Sequence, residues 1–134
     1  MKRLSDRGGA VAVEFALISP LLITLLWGIV SYGGYFFTAH TVQQLANDAA
    51  RAAIAGLDDA ERTQLAHDCV AREAASFAQM QRRPPAVAFA NDGRSIAISV
   101  TYDGTTDPFW AFGLLGVMPS PQLTRTGIVL LGGF

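Results

Sequence analysis

From Ala10 to Ala39 the chain carries only three ionisable side chains, Glu14, Tyr32 and Tyr35, and the rest is overwhelmingly apolar. A bilayer core is crossed by about 20 apolar residues in helical form, so this run is long enough to span one. The stretch "DRGGAVAVEFALISPLLITLLW" places Glu14 near its beginning, where a carboxylate is expensive and calls for a reason. The chain as a whole is 51% hydrophobic and 16% charged, too apolar for an ordinary small soluble domain. The excess is concentrated in this run, which predicts a membrane-spanning helix over residues 10–39.

The flanks orient it. "MKRLSDRGG" carries Lys2, Arg3 and Arg7 against Asp6, whereas "HTVQQLANDAAR" on the far side is nearly balanced. Positive flanks stay in the cytoplasm, so residues 40–134 are expected outside, on a single-pass protein. Trp27, Tyr32, Tyr35, Phe36 and Phe37 enrich the far half, as an interfacial aromatic belt would. Pro20 lacks an amide donor and predicts a bend or a local melt.

Beyond the run the helical pattern continues. Val42, Leu45, Ala46, Ala49, Ala53 and Ile54 recur at three- and four-residue steps, giving a helix over about 40–55 with Gly56 as its stop. Asp58 followed by Glu61 forms a capping-box pair that opens a second helix over about 59–81. "RRPP" at 82–85 closes it, since proline removes donors and restricts the preceding residue. The period then changes to two. Strands are expected over about 86–91 and 95–103 around Asp92-Gly93, and a third over about 122–131. The fold class is α+β: a long transmembrane helix continuing into a small exported domain of helices and a three-stranded antiparallel sheet. The organisation is a basic leader at 1–9, the spanning helix at 10–39 and the exported domain at 40–134.

Catalytic chemistry finds little support. His67 and Cys69 in "HDC" lie two apart on a predicted helix and face different ways, which leaves Cys69 as a core residue. Asp58, Asp59 and Glu61 suit the first turn of a helix. No phosphate loop, carboxylate pair, metal-ligand spacing or cofactor motif is present, and no small-molecule substrate is expected. The net charge of −1 argues against nucleic acid as a partner. Arg82 and Arg83 read as a solvated helix end. Phe109, Trp110 and Phe112, with Leu114, Leu115, Val117 and Met118, form an apolar loop. Its aromatics either contact a partner or a membrane, or fold over the sheet and cover it.

Gly9, an apolar stretch from Ala10, and Glu14 followed by Phe15 together resemble the processing signal of type IV prepilins, most closely the Flp (tight-adherence) branch. "RGGAVAVEFALISPLL", "ANDAARAAIAG" and the late "ISVTYDGTTDPFWAFGLLGVMPSP" are similar to the TadE-like group, pilin-like minor proteins of that system. The resemblance implies cleavage by a prepilin peptidase between Gly9 and Ala10, with Glu14 and Phe15 becoming the fifth and sixth mature residues. Cleavage would create an α-amine on Ala10 with a pKa near ~8, one helical turn from the Glu14 carboxylate. In a bundle, that carboxylate would meet the amine of a neighbouring subunit and set the axial register. The implied partners are the lipid bilayer, the prepilin peptidase, other pilin-like subunits and the tight-adherence inner-membrane platform. The implied role is non-enzymatic, in pilus assembly. Two rivals remain: an unprocessed single-pass scaffold of the apparatus, and a conventionally secreted protein whose first segment is a signal peptide.

Overall fold

A computed structural model describes residues 7–110 and 118–132. Its dominant element is helix α1, Arg7–Ala53, 47 residues without interruption and about 70 Å long at ~1.5 Å per residue. Of the bend or melt expected at Pro20, the melt does not occur. The helix continues through it, and the Thr24 hydroxyl donates to the Pro20 carbonyl at 2.8 Å. In an apolar span the alternative to a helix is an unsatisfied backbone, which outweighs the loss of one donor.

The two halves of α1 differ in what surrounds them. Val11 to Val30 are exposed almost throughout, whereas Val42, Leu45, Ala46, Ala49, Ala50 and Ala53 are buried. The apolar stripe read from the sequence is thus a core stripe, except for Ile54, which lies past the helix end and is exposed. Successive three-residue turns from Ile54 to Gly56 carry the chain out of α1.

Helix α2, Asp59–Ala74, then runs back along α1. Its opening is the expected capping box: Glu61 N–H donates to the Asp58 carboxylate at 2.8 Å, and Leu57 N–H to the Glu61 carboxylate at 2.7 Å. The single helix expected to 81 is instead broken after Ala74. A turn at Ala75–Ser76 leads into a short α3, Ala78–Arg82. Phe77 has left the helical conformation and meets Phe37 of α1 edge-on, with ring centroids 6.2 Å apart. Neither glycine nor proline marks this break, so the aromatic contact across the fold is what selects it.

Strands β1 (Ala86–Asn91), β2 (Ser95–Asp103) and β3 (Gln122–Leu130) form an antiparallel sheet in the order β1-β2-β3. The hairpin turns at Asp92-Gly93, where Gly93 takes φ 82° and the Asp92 carboxylate accepts from the Arg94 and Ser95 amides. Those donors hold the Asp92 carboxyl below its ordinary pKa. Ile96, Ile98, Val100 and Tyr102 all project inward onto α1 and are fully buried, as a strict period of two requires. Where β3 crosses α1 the backbones nearly touch. A Cβ on Gly127 would overlap the Ala46 carbonyl and lie 2.8 Å from Asn47 Cα, so only glycine fits. The Gln43 amide stitches the same seam by donating to the Thr126 carbonyl at 3.2 Å.

Candidate functional site

Two regions carry the residues singled out by the sequence. The first is the start of α1. Gly9, Ala10, Glu14 and Phe15 all lie on one helix and are all exposed. Ala10 and Glu14 are one turn apart, the spacing at which helix side chains become neighbours. Gly8 and Gly9 stand in the first turn, where an added Cβ would meet nothing within 4 Å among the described residues, and each is a poorer helix former than alanine by about 1 kcal/mol. The first turn is therefore the weakest part of an otherwise strong helix.

The second region is the aromatic loop after β2. Its construction begins with Tyr102, the last buried residue of that strand, whose hydroxyl donates to both oxygens of the Asp107 carboxylate at 3.1 and 3.0 Å. Asp107 N–H donates to the Gly104 carbonyl, and Trp110 N–H donates to the Asp107 carbonyl, each at 2.9 Å, closing a tight turn. Burial raises both the Tyr102 hydroxyl and the Asp107 carboxyl above their ordinary pKa values. For Asp107, the Tyr102 hydrogen bond and the nearby Arg83 offset part of that effect. Asp103 shifts the other way, held down by the Thr105 hydroxyl and amide, and it pairs with Arg83 at 3.9 Å.

The turn aims its aromatics at α1. Trp110 is only 6% exposed and packs with Ala39 and Leu123. Its ring lies edge-on to Tyr35 at 5.6 Å, and its indole N–H donates to the Pro119 carbonyl at 3.2 Å. Gly104 leaves room for it, since a Cβ there would come within 2.9 Å of the indole. Half-buried Phe109 lies over Gly34, where an added Cβ would meet its ring at 2.7 Å. Of the two arrangements open from the sequence, Trp110 adopts the covered one, and it packs against α1 as well as the sheet. Phe112 lies outside the described residues.

His67 is exposed while Cys69 is buried, with its thiol donating to the Glu73 carboxylate at 3.4 Å and raised in pKa chiefly by burial. Among the described residues, no group of His, Cys, Asp and Glu is placed to hold a metal ion.

An α+β domain built directly on the continuation of one apolar helix is the layout of a single-pass membrane protein. α1 is the one helix among the described residues that is long and apolar enough to cross a membrane, and its apolar window is entirely uncovered by protein. The TadE-like protein family model matches residues 9–51, so the similarity to that family lies in this segment. The match runs from the glycine at the head of α1 almost to its end and leaves the sheet outside. No curated protein and no solved structure matches the chain.

Proposed function

We propose that the chain is a pilin-like minor protein of a tight-adherence pilus, cut by a prepilin peptidase between Gly9 and Ala10 and taken into a helical bundle through α1. The observation that carries this reading is the family match over residues 9–51, which begins at the proposed junction and ends within α1. The uncovered apolar face from Val11 to Val30 supports it. In water such a face has no stable environment, and it suits lipid before assembly and neighbouring helices afterwards. The two glycines at the junction suit a protease that must open the first turn to reach its bond.

The mechanism is structural. Removal of the leader leaves a cation on Ala10, and Glu14 compensates it from one turn away. When subunits stack, the carboxylate pairs with the amine of a neighbour. In a low-dielectric bundle an unpaired charge is disfavoured by several kcal/mol, on the order of the penalty for any buried ion, so the pairing selects one axial register. The exported domain, with residues 40–134 on the far side of the inner membrane, presents its surface to other pilus components.

The deciding experiment is intact-mass analysis of the membrane-extracted protein from hosts with and without the prepilin peptidase. A peptidase-dependent start at Ala10 is expected. An intact leader in both hosts would make the protein a stationary anchor instead.

A further inference from the structure

We propose that the α+β domain is seated on the bilayer surface from which α1 emerges, with Arg82 and Arg83 receiving the phosphates of phospholipid headgroups. The proposal rests on α1 crossing the membrane.

The height of the domain follows from the helix. α1 passes from its uncovered half into the domain without a break, so no linker lets the domain lift away. Residues 10–30 would fill about 31 Å at ~1.5 Å per residue, matching a hydrocarbon core of about 30 Å. The domain begins almost at once above that. Phe109 lies on Gly34, Trp110 meets Tyr35, and Phe77 meets Phe37. Gly34 stands about 6 Å past Val30, within the headgroup layer. Three separate segments thus bring aromatic rings to one level, while Phe36 and Phe37 stay 63% and 58% exposed beside them. This is an interfacial belt assembled by tertiary structure.

The same end of the domain carries the arginines. β3 runs along α1 with Leu123 near Ala39 and Gly127 near Ala46, so the Asp103 and Gln122 ends of the strands face the membrane. Arg83 reaches Asp103 there, and a groove of about 420 Å³ opens between Gln79, Arg82 and Arg83 on one side and Thr106, Asp107 and Pro108 on the other. Arg82 is exposed and makes no ion pair among the described residues. Of the two acids nearby, Asp107 is bound by the Tyr102 hydroxyl and Asp103 is shared with Arg83. Asp58, Asp59, Glu61 and Asp92 gather at the opposite pole, where Asn91 donates to Asp59 at 2.7 Å. The lipid-facing end thus holds Arg82 and Arg83 beside two acids already engaged, while Arg62 and Arg94 stand with the acids of the far pole. Guanidinium forks match phosphate oxygens in geometry as well as charge.

The test uses the full chain in lipid nanodiscs, in a Cys69→Ala background, with a spin label at Thr106→Cys, Arg94→Cys or Leu22→Cys. The Thr106 label should be shielded from a water-soluble nickel chelate and reached by oxygen, the Arg94 label the reverse, and the Leu22 label should report hydrocarbon. Adding phosphatidylglycerol to phosphatidylcholine discs should increase the shielding at Thr106. Arg82→Gln with Arg83→Gln should remove most of that lipid-dependent gain. A Thr106 label as open to the chelate as the Arg94 label, with Leu22 still in hydrocarbon, overturns the seating alone. A Leu22 label in water overturns the membrane span and the seating together. An unchanged phosphatidylglycerol response in the double arginine variant overturns the headgroup assignment.

Discussion

Gly127→Ala puts a single methyl group into the closest approach in the fold. The added carbon would overlap the Ala46 carbonyl and sit 2.8 Å from Asn47 Cα, whereas carbon atoms rest at about 3.5–4.0 Å. Both obstacles are backbone atoms of α1, so no side-chain rotation relieves them. The sheet has to move off the helix by roughly an ångström, loosening the contacts of Ile96, Ile98 and Val100 with Val42, Leu45 and Ala49. Overpacking of a core costs about 1–3 kcal/mol, and an obstacle made of main chain belongs at the upper end. At about 4 °C per kcal/mol for a domain near this size, Tm should fall by about 10 °C. Near-ultraviolet circular dichroism of the full chain in detergent, which follows packed aromatics such as Tyr102 and Trp110, is the appropriate assay. Ala46→Gly should give no rescue, because the carbonyl remains. A Gly127→Ala protein melting within about 2 °C of the parent would refute the argument.

Gly34→Ala should destabilise the loop by about 1 kcal/mol or more through its clash with Phe109, and adding Phe109→Ala should remove most of that coupling in a double-mutant cycle followed by hydrogen exchange at residues 104–110. The Tyr102 hydroxyl, raised in the fold, contributes stability that is complete below its unfolded pKa of about 10 and lost as pH rises through the folded value. Ultraviolet titration should therefore show the Tyr102 phenolate only as the domain opens in alkali, and the alkaline loss should shrink in Tyr102→Phe. Glu14→Ala is expected to spare membrane insertion and leader removal while reducing piliation severalfold, counted by microscopy. Normal piliation would remove the charge-pairing account.

What the sequence disclosed was local chemistry. Asp92-Gly93 turns a hairpin because a carboxylate two residues from an amide and a glycine at positive φ are sufficient to make it. Asp58 and Glu61 cap α2 for the same kind of reason, and Ile96, Ile98, Val100 and Tyr102 reveal their inward face by alternation alone. The α+β class follows from these pieces. The break before Phe77 was not legible, because its cause is Phe37, forty residues away on another helix. Gly127 carries no mark in the sequence, because what requires it is the Ala46 backbone of a distant element. The aromatic loop showed its hydrophobicity but not its direction, which depends on Tyr102 holding Asp107 and on the space at Gly34. Glu14 and Gly9 stood out because a charge in an apolar run and a glycine at its head are conspicuous without any contact.

An unbroken α1 makes the molecule a shaft with its head welded on. Advancing the shaft by one residue lifts the head by about 1.5 Å and turns it by about 100°, with no joint to absorb either motion. A neighbour that grips the apolar end therefore also decides which side of the sheet faces outward. Two copies held in different registers would present different faces, so an assembly built from such parts makes a register error visible on its outside.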